Sequence, residues 1–188
     1  MEEQLREHLM EGERLLWSGS PESFETLDKT NKTSIIVGFV IKALITLGIL
    51  LLLIISAREN GGGKPGAFAF VLALAAFAFA NPFLIARRLR KKTFYGLTDK
   101  RILRAGANEQ AVPYDRIRNA VLRTDADGHT TLLCGSRAIK LKPHQWRGEA
   151  DVSFINSAIE PEAERVILYA LPMNDELKGI LNQYLPLE

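Results

Sequence analysis

The stretch SIIVGFVIKALITLGILLLLIIS, Ser34 to Ser56, decides the architecture. Its only charge is Lys42. A helix of roughly 20 apolar residues crosses the hydrocarbon core of a bilayer, so this run reads as a transmembrane span. A second run of similar length follows, GAFAFVLALAAFAFANPFLIA, Gly66 to Ala86. The connector, residues 57–65 (ARENGGGKP), is glycine-rich and too short to hold a domain. Residues 34–86 therefore read as a transmembrane helical hairpin, with spans at 34–56 and 66–86 and a short outside loop. They do not read as a cleavable signal. The first run begins at residue 34, follows acidic residues, is too long and lacks the small-residue cleavage pattern.

The charges flanking the hairpin set its expected orientation. Lys and Arg accumulate on the cytoplasmic side of membrane spans. The connector offers Arg58 and Lys64, and the segment before the first span offers Lys29 and Lys32. The segment after the second span offers Arg87, Arg88, Arg90, Lys91 and Lys92. Both ends of the chain are thus expected in the cytoplasm. The basic run reads first as a topological anchor. It also attracts anionic lipid headgroups, at about 1 kcal/mol per charge near the surface. Lys100, Arg101 and Arg104 in the following strand-turn-strand extend that expected headgroup surface. The whole chain has 24 Lys and Arg against 22 Asp and Glu, a net charge of +2. That balance argues against nucleic acid as the partner of the basic run.

Within the spans, Ser34, Gly38, Lys42 and Thr46 share one helical face at four-residue spacing. Lys42 has two readings. Its ammonium snorkels to the nearer interface, or it forms an intramembrane polar site lining a path. Neither span contains an acid to pair with it. In the second span Ala69, Ala73, Ala76 and Ala80 repeat at spacings of four and three. Such a small-residue seam permits close helix approach in lipid. It is expected to pack on the Gly38 face of the first span, with homo-oligomerisation as the alternative. Asn81-Pro82 is expected to loosen the last turn.

Residues 1–33 read as a cytoplasmic segment too small to fold alone. Leu5, Leu9 and Leu16 fit one helical face interrupted by Gly12, followed by an extended GERLLWSG. This segment is expected to dock on the later domain or to lie on the membrane with Trp17 as anchor. Residues 93–188 read as a soluble domain. TFYGLT and RILRAG flank the Asp99-Lys100 turn, and NAVLRT and TTLLCG flank DADGH, where Asp127-Gly128 signals a hairpin. RAIKLK, ADVSFINS and ERVILYALP are further strand candidates, the last with the alternative of a helix beginning at Pro161 in PEAER. Asn174 is placed to cap a last helix carrying Leu177, Ile180, Leu181 and Tyr184 on one stripe. Cys134, the sole cysteine, allows no intrachain disulfide and reads as a small core residue.

GERLLWSGSP before the spans, then FYGLTDKRILRAG, VPYDRIRNAVLR and DGHTTLL after them, resemble the bacterial membrane-anchored pleckstrin-homology-like proteins. The most specific part is Tyr95 to Leu103, followed by Pro113 to Ile117. The resemblance implies an α+β chain: a helical hairpin, then a PH-like bent antiparallel β-sheet or barrel of seven strands with a C-terminal capping helix. It implies no catalytic residues.

The residues themselves offer little chemistry. His8, His129 and His144 fall in different elements, so no metal site is expected. TDADGH evokes a calcium loop, but positions that must supply oxygen would fall on Arg123 and Cys134. No nucleophile is paired with a base. Asp115 and Arg116 are expected to satisfy each other across a turn. The expected function is non-enzymatic and needs no cofactor: a protein-interaction or assembly module at the bacterial inner (plasma) membrane. Its expected partners are anionic lipid headgroups, an unidentified protein and further copies of itself. The rival expectation is a subunit of a small oligomeric channel or transporter using Lys42.

Overall fold

A computed structural model describes residues 5–59, 62, 65–106, 109–136, 164–185 and 187. The strand candidates RAIKLK and ADVSFINS lie outside them. The chain is α+β. Two long helices, α1 (Lys32–Glu59) and α2 (Pro65–Lys92), precede most of a β-rich domain that ends in helix α3 (Asp175–Tyr184). At 1.5 Å per residue each long helix measures about 42 Å. Both are long and apolar enough to cross a membrane. No residue of α1 is buried within the protein, and in α2 only Ala86 and Leu89 are. Leu44, Leu52, Phe70 and Phe77 are each more than 60% exposed. An apolar surface of that extent marks a contact with a membrane or with another protein.

The two helices meet along a seam of half-buried residues in steps of three and four: Gly38, Phe39, Lys42 and Thr46 on α1 against Val71, Ala75, Ala78 and Pro82 on α2. Phe39 packs on Phe79 at 5.3 Å and on Phe83 at 6.3 Å between ring centroids. This corrects the expected seam. Ala69, Ala73, Ala76 and Ala80 are all exposed and turn away from α1. The second span offers two interleaved small-residue rows, and the bulky Phe39–Phe79 contact selects the row holding Ala75 and Ala78. Gly38 lies on the seam, but a Cβ there would meet nothing within 4 Å. It therefore provides no close backbone approach.

Seven strands form two antiparallel sheets. The first has the order β1 (Leu15–Gly19), β2 (Thr93–Thr98), β3 (Arg101–Gly106), β4 (Gln110–Pro113). The second has the order β5 (Asn119–Thr124), β6 (Thr130–Gly135), β7 (Arg165–Leu168). The sheets do not close into a barrel among the described residues. They meet through side chains instead: Gln110 Oε1 accepts from the Ile167 amide at 3.1 Å. β1 comes from before the hairpin and pairs with β2 from after it, Trp17 opposite Leu97 and Gly19 opposite Tyr95. The segments flanking the two helices thus converge at one end of the pair, and residues 93–188 share their sheet with residues 15–19. Leu5 is fully buried against Leu103 and Ala105, while Leu16 belongs to β1 rather than to a helical face with Leu5 and Leu9.

Trp17, Tyr95, Leu97, Ile102 and Val112 of the first sheet form one core with Leu132, Cys134, Val166 and Leu168 of the second. Leu177, Leu181 and Leu185 of the closing helix and its C-cap complete that core. Asn174 Oδ1 caps the helix by accepting from the Leu177 amide at 2.8 Å, as its position predicts. Gly128 has φ +86° in the five-residue β5–β6 turn, a left-handed conformation that favours glycine. Burial pushes the Cys134 thiol up to about 12, in keeping with an inert core residue.

Candidate functional site at the roots of the helix pair

α2 hands over to β2 without a linker: the helix ends at Lys92 and the strand begins at Thr93. The basic collar is therefore the last two turns of a helix. Gly106, opposite Thr93 in the ladder, makes this junction possible. It has φ +100°, and a Cβ would lie 1.7 Å from the Lys92 carbonyl oxygen. Arg87, Arg88, Lys91 and Lys92 are exposed, as is Lys100 on the β2–β3 turn. Arg90, also exposed, is engaged by the protein. Its Nη1 donates to the Phe24 carbonyl at 3.1 Å, and its guanidinium stands 5.6 Å from the centroid of the Phe24 ring. Phe24 is itself buried with Ala86, Leu89, Tyr169 and Ala170.

Two of the residues expected to face headgroups do not. Arg101 Nε donates to Glu13 Oε1 at 2.9 Å, and Nη2 donates to Glu13 Oε2 at 3.0 Å and to the His8 carbonyl at 2.6 Å. The Glu13 side chain is fully buried. Burial pushes its carboxyl up, but hydrogen bonds from Arg101, the Met10 amide and Thr98 outweigh that and hold it below the ordinary glutamate range. Arg104 is 1% exposed, with Nη1 3.4 Å from the Ile167 carbonyl. The two lie on opposite faces of β3: Arg104 faces the second sheet, and the N-terminal segment over the β2–β3 turn covers Arg101. Arg116 pairs with Glu164 rather than with Asp115.

α1 is rooted differently. Asp28 Oδ1 accepts from the Asn31 amide at 2.7 Å and from Asn31 Nδ2 at 2.8 Å, holding the turn that leads into the helix. Asp127, in the β5–β6 turn, accepts from the Lys29 amide at 3.2 Å, the Thr30 amide at 3.0 Å and Thr30 Oγ1 at 2.9 Å. Partial desolvation pushes the Asp127 carboxyl up, but these donors outweigh it and hold the group below the usual aspartate range. The acidic turn that superficially suggests calcium thus binds backbone at the foot of α1. Nothing local to the sequence reveals this contact, because its partner lies 97 residues away.

Lys42 takes neither of its expected roles in a simple form. Its Nζ donates to the Ala78 carbonyl of α2 at 2.9 Å. That carbonyl is four residues before Pro82, which has no N–H to complete the helical bond. The lysine therefore supplies the donor that proline removes. The Phe39 ring lies 5.6 Å from Nζ.

Among the described residues no three His, Cys, Asp or Glu side chains gather as a metal set. No family model, curated protein or solved structure matches the chain, so the resemblance to membrane-anchored PH-like proteins rests on its sequence motifs alone.

Proposed function

We propose that this chain is a non-enzymatic membrane-anchored module. It presents a β-rich surface for protein interaction or self-assembly at the inner face of a bacterial plasma membrane, with anionic headgroups orienting it. One observation carries the reading: the domain is fixed to both helix roots, by direct continuation of α2 into β2 and by the Asp127 clamp on α1. A flexible tether suffices to keep a soluble domain near a bilayer. A rigid mount is useful when the orientation of a binding surface matters.

The test is photo-crosslinking in native membranes from Lys100 and from Val121, both exposed. The expected product is a discrete adduct with one protein or with a second copy. Lipid adducts alone from both positions would sink the reading. The channel alternative requires a lysine free to line a path, whereas Lys42 is engaged with Ala78. Background-level flux in proteoliposomes of both the wild type and Lys42→Leu is the expected result.

A further inference from the structure

A cavity of about 470 Å³ opens between the end of α2 and the N-terminal segment, lined by Glu7, His8, Lys91, Lys92, Phe94 and Gly106, among others. Its depth follows from the helix. Lys91 and Lys92 lie five and six residues beyond Ala86, the last residue of the apolar run. At 1.5 Å per residue that is about 8 to 9 Å past the hydrocarbon edge, at the level of lipid phosphates.

Its charge is also specific. Neither lysine has an ion-pair partner among the described residues. Glu109, whose Oε1 lies 3.7 Å from His8 Nε2, is not part of the cavity wall. Among the lining residues the two ammonium groups against the Glu7 carboxylate leave a surplus of one positive charge. Phe94 adds an apolar wall, and Gly106 leaves the wall beside Lys92 without a side chain. A phosphodiester carries one negative charge and is attached to an apolar body, which matches both properties.

We infer that this cavity holds the phosphodiester headgroup of one anionic lipid from the leaflet in which α2 ends. Lys91 and Lys92 contact the phosphate, and Glu7 limits the site to a single negative charge. The inference rests on the membrane placement proposed above but not on the identity of any protein partner. It distinguishes the two lysines from Arg87 and Arg88, which lie on the same collar outside the cavity wall.

The experiment uses the full chain released from nanodiscs of phosphatidylglycerol and phosphatidylethanolamine, with retained lipid counted by native mass spectrometry. The wild type is expected to keep one phosphatidylglycerol. Lys91→Gln with Lys92→Gln should weaken retention about thirtyfold, from two surface charges. Arg87→Gln with Arg88→Gln should leave it nearly unchanged, and Glu7→Gln should strengthen it about fivefold. Equal loss in the two double variants would replace a site with a diffuse collar and overturn the inference. Displacement by soluble glycerol phosphate at equal concentration would overturn the lipid as its source. A full-length chain that fails to float with liposomes would overturn the membrane placement itself, whereas loss of the crosslinked partner with lipid retention intact would leave this site standing.

Discussion

The two long helices enter the β-rich domain in different ways. α2 becomes β2 between one residue and the next, with Gly106 tucked against the Lys92 carbonyl. α1 is held by polar contacts, chiefly from Asp28 and Asp127 to backbone amides. One root is covalent and sterically locked. The other is held in place by hydrogen bonds to side-chain carboxylates, and such contacts can open individually. The mount is therefore asymmetric: chain geometry sets the α2 root, and hydrogen bonds set the α1 root.

The largest effect is expected at the locked root. Gly106→Ala puts a Cβ into the Lys92 carbonyl in a left-handed conformation, and should cost about 4 kcal/mol. Thermal unfolding in detergent would show it, and an unchanged midpoint would remove the steric argument. Next is Glu13→Ala, which leaves Arg101 without its carboxylate beneath the β2–β3 turn. Breaking a buried pair costs about 3 kcal/mol. The sign with pH is fixed by the lowered carboxyl. Because the folded value lies below the ordinary 4.5, the contribution is complete above that value and is lost as pH falls through the folded one. Unfolding of the wild type should therefore grow easier on acidification below that range, and Glu13→Gln should flatten that part of the profile.

Asp127→Ala is expected to destabilise the fold less than Glu13→Ala, because Asp127 holds only the foot of α1. Its diagnostic is local: hydrogen exchange should speed up at Lys29 and Thr30 but not across β2. Equal acceleration at both roots would abolish the asymmetry. The smallest effect is Lys42→Met, about 0.6 kcal/mol by the average of hydrogen bonds between helices in lipid. Pro82→Ala restores an N–H for the Ala78 carbonyl, so the Lys42→Met effect should shrink in that background. A double-mutant cycle showing no coupling would reject the compensation.

What was legible in the sequence was local. The two apolar runs, the Asp127-Gly128 turn and the Asn174 cap depend on residues a few positions apart, and each falls where the pattern places it. What was not legible depends on distant partners. Arg101 and Arg104 look like surface charges until Glu13 and Ile167 are brought to them from 88 and 63 residues away. The alanine row facing α1 was ambiguous because two rows share nearly the same spacing, and only the Phe39 contact separates them. The division into two sheets was hidden for a related reason. The strand GERLLWSG was visible as extended chain, but its pairing with TFYGLT spans the whole helix pair. Of the basic residues, all five of the collar and Lys100 are exposed, but Arg90 is engaged with Phe24.

The absence of a joint between Lys92 and Thr93 has a mechanical consequence. A helix longer than the surrounding hydrocarbon tilts to fit it, and a strand fused to that helix must swing through the same angle. In a bilayer the sheet would then work like the pointer of a gauge: a few ångströms of thinning at the far end of the lever would change which way its edge is aimed.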